Sequence, residues 1–180
     1  MSLEEAPTML SEETRTEAPK DPDVHLCVFR VGQEEMVLDI MRIREIMRPL
    51  PITPLPHAPE GVRGLIHVRG AVIPLMDMRL RFGLPSEETS PRQRIMVVLD
   101  HRRLWGLLMD QVQEVIRVPR SQLRSGAAIF GGRARDIFSG VCDHRGRLLL
   151  MLNLARFLST EARVSIPALP PAALLNKERT

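Results

Sequence analysis

An internal duplication is the feature that most narrows what this 180-residue chain can fold into. Gly64-Leu-Ile-His-Val-Arg69-Gly70 leads into an apolar strand and then Asp77 at the head of a short helical stretch. Gly140-Val-Cys-Asp-His-Arg145-Gly146 leads into another apolar strand and then Asn153 in the corresponding place. Gly64 to Gly140, Arg69 to Arg145 and Asp77 to Asn153 are each 76 residues apart. Upstream, Ile43-Arg-Glu45-Ile46-Met-Arg48 returns as Val112-Gln-Glu114-Val115-Ile-Arg117 at a spacing of 69. The seven-residue difference falls in the loop between the two motifs, where extra length costs little. Two copies of one pattern predict two similar small barrels. Each copy is too short to be stable alone, so the two are expected to share an interface core.

The rhythm within each copy is that of short strands and tight turns. Val24 to Val31, a Gly32-Gln33 turn and Met36 to Ile40 form a first hairpin signal. Gly64 to Val68 with Val72 to Leu75, Arg94 to Leu99 with Leu104 to Met109, and Ile137 to Cys142 with Leu148 to Leu152 form three more. Short strands at this spacing predict a sandwich or barrel. Only Asp77 to Phe82 and Asn153 to Leu158 have helical character, and Gly83 is placed to stop the first. Residues 1–23 are rich in Glu, Thr and Pro and read as a disordered acidic arm. Residues 24–162 form the folded body, with a midpoint near 90 and an exchange of strands between the halves left open. Residues 163–180 are a Pro-containing tail, either loose or a short docked helix.

Charge and composition exclude several functions. The formal charge of +3 divides into −5 on residues 1–23 and +8 on the rest, almost all of it Arg. Those arginines are dispersed, and aromatics make up 3% of the chain with no Tyr, so base stacking has little to work with. The acidic start has no apolar signal region, and no apolar run is long enough for a bilayer, so a cytoplasmic protein is expected. Cys27 and Cys142 are expected to be reduced core residues. His25 and Cys27 could face Cys142 and His144 as a zinc set, but His144 falls in a predicted turn, and core or edge placement is the preferred reading. Asp39, Asp77 and Asp110 read as caps of the turns that follow rather than as an acid–base pair. Ile43 with Ile46, and Val112 with Val115, read either as core packing of a short turn or as an exposed apolar strip for a partner.

The run from Gly64 through Arg-Gly-Ala-Val-Ile-Pro-Leu-Met-Asp-Met-Arg to Gly83 resembles the signature of the CheW-like chemotaxis coupling family. Leu38 to Ile46, Gly106 to Val115 and Leu148 to Phe157 match it in order and spacing, so the resemblance spans roughly Val24 to Ser159. It implies an all-β fold of two five-stranded SH3-like β-barrels sharing a core, with short helices after strands. It implies no catalysis, no cofactor and no metal. It implies an adaptor recruited to cytoplasmic receptor arrays, joining a methyl-accepting chemoreceptor tip to the regulatory domain of a chemotaxis-type histidine kinase. The family's kinase-binding and structural positions fall on Glu45, Ile46, Gly64 and Arg69, and its receptor-binding positions on Ile43, Gly106, Val112 and Val115. A groove between the barrels lined by Ile43, Val112 and Val115 would suit a helical receptor tip. Glu45 and Arg69 are expected to form a salt bridge at the rim of the first barrel.

The chain departs from the family pattern in places. Met36-Val37 stands where an aromatic often follows the acid, and Pro49 to Pro56 is stiffer than usual. The alternatives are an adaptor of a developmental or surface-signalling pathway, a domain detached from a larger kinase or receiver fusion, and a nucleic-acid-binding small barrel. About twenty residues beyond the last match leave no room for a receiver, and nucleic-acid binding would show a steep salt dependence.

Overall fold

The protein was analysed as a computed structural model, which describes residues 21–159. The acidic arm up to residue 20 and the tail expected from 163 lie outside the described residues. All four predicted hairpins close through two-residue loops. In three of them, Arg69-Gly70, His101-Arg102 and Arg145-Gly146, both loop residues have positive φ, from 41° to 83°. That is the turn whose twist matches paired strands, although a left-handed Arg or His costs roughly 1–2 kcal/mol.

The strands run in chain order as β1 (Asp23–Val31), β2 (Glu34–Asp39), β3 (Ile43–Met47), β4 (Val62–Val68), β5 (Ala71–Asp77), β6 (Arg94–Asp100) and β7 (Arg103–Met109). β8 (Gln111–Pro119), β9 (Leu123–Ser125), β10 (Phe138–His144) and β11 (Arg147–Leu152) follow. Short helices α1 (Met78–Arg81), α2 (Ala134–Ile137) and α3 (Leu154–Ser159) interrupt them. α1 and α3 follow β5 and β11 as the duplication requires, and α2 carries no helical signal in the sequence. The segments Ile43 to Met47 and Val112 to Val115 are strand, not the short turn expected for them.

The two sheets do not divide the chain at its midpoint. One has the order β3-β6-β7-β5-β4, the other β8-β1-β2-β11-β10-β9. Each sequence copy is a hairpin, a single strand and a second hairpin, and the copies trade their first hairpins. β1–β2 pairs with β8 and β11 of the second copy, while β6–β7 pairs with β3 and β5 of the first. The parallel pairings β5·β7 and β2·β11 mark the exchange in both barrels. We call the 43–109 unit barrel 1 and the other barrel 2.

The exchange explains why the hairpin strands are apolar on consecutive residues. Leu26 and Val28 of β1 face the interior of barrel 2, while Cys27, Phe29 and Val31 face a central cluster. In β6, Ile95 and Val97 fill barrel 1 and Met96 and Val98 face the same central cluster. Strands buried on both faces read as apolar runs rather than as alternation. Phe82, Phe130, Phe138 and Phe157 meet in the central cluster, with ring centroids 5.4–5.9 Å apart. Arg81 of α1 is buried there as well, stacked over Phe157 and donating to its carbonyl oxygen at 3.0 Å, so it ties α1 to α3.

Two of the three predicted caps are in place. The Asp39 carboxylate accepts from Met41 N at 2.9 Å, and Asp77 accepts from Arg79 N at 2.9 Å. Asn153 does the same for α3 through Arg156 N. Asp110 caps nothing. It accepts from Gly32 N at 2.7 Å and from Arg79 Nη1 at 2.8 Å, and so pins the exchanged β1–β2 turn to barrel 1.

Because the central cluster belongs to both barrels, neither barrel is expected to unfold alone. Ile66→Ala inside barrel 1 and Leu149→Ala inside barrel 2 should each cost about 2–5 kcal/mol. Both should shift one common calorimetric transition. Two separated transitions in either variant would show that the barrels fold independently.

Candidate functional site

β3 and β4 are the edge strands of the barrel 1 sheet. Side chains alternate along a strand, so residues three apart point to opposite faces. Ile43 is half-buried against the central cluster, whereas Ile46 is 41% exposed. β8 repeats the pattern: Val112 packs on the central cluster and Val115 is 58% exposed. The strip expected from the spacing Ile43–Ile46 and Val112–Val115 is therefore divided. Ile43 and Val112 share the central cluster, while Ile46 and Val115 face outward from different barrels.

Glu45 lies beside Ile46, and Arg69 reaches it from the β4–β5 turn. The guanidinium donates to both carboxylate oxygens, from Nη2 at 2.9 Å and from Nε at 3.1 Å. This bidentate pair links β3 to the turn as the sequence predicts. Hydrogen bonding to Arg69 holds the Glu45 carboxyl below its ordinary value. The pair is exposed on the arginine side, so its consequence is the shape and charge of the rim more than the stability of the barrel.

Barrel 2 has a counterpart that the sequence comparison missed. Glu114, the equivalent of Glu45, accepts from Arg147 at 2.9 Å, and Arg147 also donates to Glu35 at 2.9 and 3.1 Å. The partner is Arg147 rather than Arg145, which the spacing of 76 would pick. Arg145 occupies the positive-φ turn like Arg69, two residues before β11 begins its pairing. Only the strand pairing reveals that Arg147 comes beside Glu35 on the neighbouring strand.

Two glycines of the expected set are interior. Gly64 is buried with φ 149°, and a Cβ there would come within 2.2 Å of the Thr53 carbonyl oxygen. Thr53 pairs with Leu65 in both directions at 2.8 Å, so Gly64 lets the proline-rich 49–56 segment cross β4. Gly140 answers the same demand in barrel 2, where a Cβ would lie 2.0 Å from the Arg124 carbonyl oxygen of β9. Gly106 is buried in β7, against Leu75, Ile66 and Ile95 of the barrel 1 interior. Buried there, it would act on a receptor-binding surface through the packing of β7 rather than by direct contact.

Cys27 and Cys142 are buried in different clusters, the central one and the barrel 2 interior, and burial pushes both thiols up to about 11. Among the described residues no three His, Cys, Asp or Glu side chains converge. No helix among them is long and apolar enough to cross a membrane.

The sequence pattern of the CheW-like domain matches residues 25–162. A chemotaxis protein CheW from Rhizobium meliloti (strain 1021) is 36% identical over 138 residues, covering 77% of this chain and 89% of that protein. A chemotaxis protein CheW from Helicobacter pylori is 35% identical over 133 residues, covering 74% and 80%. Among solved structures, the scaffolding protein TtCheW from Thermoanaerobacter tengcongensis superposes with a TM-score of 0.71 at 24% identity, over 79% of this chain and 98% of that one.

Two measurements check the site. The Glu45 carboxyl should titrate below an ordinary glutamate, and its midpoint should return to the ordinary range in Arg69→Ala. Because the folded value is depressed, the pair's contribution is present above the ordinary glutamate range and is lost as pH falls through the depressed value. Gly64→Ala should lower the thermal midpoint markedly, by about 3 kcal/mol of stability, because the Thr53 carbonyl must move. An unshifted midpoint would show that the 49–56 crossing is dispensable.

Proposed function

Because the chain belongs to the CheW-like domain family, we propose that it is a chemotaxis-type adaptor coupling a chemoreceptor's cytoplasmic tip to a receptor-linked histidine kinase. The observation that carries the kinase side is the outward Ile46 flanked by the Glu45–Arg69 pair on the edge strand of barrel 1. An apolar anchor ringed by a fixed charge pair suits a partner surface of the same barrel type, with the pair setting register. Ile43 and Val112, which pack on the core between the barrels, support a receptor site at the junction of the two. Val115 belongs to the outer face of barrel 2 and extends the surface open to either partner.

An adaptor of this kind needs no chemistry. Holding two partners at once raises the effective concentration of each beside the other, and individually weak contacts become strong in an array. The rigid shared core is what makes this useful, because it fixes the angle between the two docking faces.

Capture with the tagged full chain should bring down both a chemoreceptor and a histidine kinase from the source cell. Ile46→Asp should weaken kinase binding about tenfold or more and leave receptor binding unchanged. Glu45→Arg and Arg69→Glu should each weaken kinase binding, and the double reversal should restore it if the pair acts by shaping the surface. Failure to restore it would assign both residues to direct contact with the kinase. Capture of neither partner, or full kinase binding by Ile46→Asp, would overturn the reading.

A further inference from the structure

One end of barrel 2 opens into a cleft of about 480 Å³ that the docking faces above do not use. Its apolar wall comes from Leu26, Val37, Leu38, Leu123 and Met151, where β1 begins and β2 and β11 end. Arg42 and Arg120 also line it, both exposed, together with Asp39, whose carboxylate already accepts from Met41 N. Among the described residues neither guanidinium has a hydrogen bond or an ion pair. A ligand for this cleft is therefore an acidic segment with an apolar anchor.

The chain itself brings such a segment to the opening. Val24 lines the cleft, and the backbone just before it is held in place: Arg120 N donates to the Pro22 carbonyl oxygen at 3.0 Å. Asp21 accepts from Ser121 N at 3.1 Å, and Asp23 pairs with Arg117. The last acids of the arm thus already follow the basic edge formed by β8 and the turn after it. Residues 1–20 carry five glutamates against Arg15 and Lys20, and include Met9-Leu10 just ahead of Glu12-Glu13. Leu10 lies eleven positions before Asp21, an extended reach of roughly 36 Å, so the tether is ample for a cleft that starts three residues away. Residues 160–180 carry a net charge of +1 and do not complement two arginines.

We propose that residues 1–20 dock in this cleft, with Met9-Leu10 against the apolar wall and Glu12 and Glu13 against Arg42 and Arg120. A segment with no core of its own takes a fixed position only on a surface supplied by the rest of the chain. The arm is then an internal ligand, which any partner using this end of barrel 2 must displace. Its charge contacts are exposed, so salt weakens them.

The test uses the full-length chain carrying a spin label at Ser11→Cys. The two native thiols are buried and stay unlabelled at neutral pH. Amide signals of Leu38, Met151 and Leu152 should be lost to paramagnetic broadening, while those of Val72 and His101 in barrel 1 persist. Arg42→Glu with Arg120→Glu should restore the lost signals at an unchanged thermal midpoint. Broadening that is absent, or equal on both barrels, would overturn the proposal, as would broadening that survives the double reversal. The same signals lost from a Ser165→Cys label and not from Ser11→Cys would make the C-terminal tail the occupant. Broadening of an isotope-labelled, spin-free chain by a spin-labelled neighbour would make the contact intermolecular and also overturn it.

Discussion

Everything in this molecule depends on the reciprocal exchange of the β1–β2 and β6–β7 hairpins. A hairpin that stayed with its own copy would have one face in its barrel and one in water. Once exchanged, it has one face in the partner barrel and the other against its counterpart, which builds a core neither copy could assemble alone. The parallel pairings of β5 with β7 and of β2 with β11 seal each adopted hairpin into its new barrel. Separating the barrels would open the central cluster and break both sheets at once.

Charge secures what the apolar core leaves undetermined. Asp110 holds the Gly32 turn of one barrel and Arg79 of the other, so the crossing point is fixed by directional bonds. Its second carboxylate oxygen is buried without a partner, and so is Arg81 Nε, an imbalance tolerated where the two barrels meet. At the rims the same device recurs with different residues. A glutamate on the edge strand of each barrel is caught by an arginine from the adjoining hairpin, Glu45 by Arg69 and Glu114 by Arg147. Both arrangements leave one aliphatic side chain, Ile46 or Val115, facing outward beside a fixed charge pair. The duplication therefore yields two faces of similar character on a body whose interior sets their mutual angle.

Much of the site could be read from the residues, and what could not has a common cause. The turns, the caps at Asp39 and Asp77, and the meeting of Glu45 with Arg69 depend on neighbours close in sequence or on one hairpin contact. The splitting of Ile43 from Ile46, the burial of Gly106 and the choice of Arg147 over Arg145 depend on strand parity and on which strand lies alongside. A spacing of three suits one face of a helical turn and opposite faces of a strand, so the same residues carry opposite meanings until the pairing is known. Gly106 illustrates the same limit, since a glycine in a strand marks a close approach without saying whether another strand or a partner approaches.

By itself the sequence determined that there would be two similar barrels, with hairpins at Arg69-Gly70 and Arg145-Gly146 and a short helix capped by Asp77. Those features follow from local chemistry repeated at fixed spacing. Which hairpin belongs to which barrel was decided only by tertiary structure, because β1 and β6 are apolar on both faces and carry no mark of the partner they choose. The duplicated strands are nearly interchangeable in composition. The choice rests on the parallel registers, on the bond from Asp110 to Gly32, and on the central core that exists only when both hairpins cross.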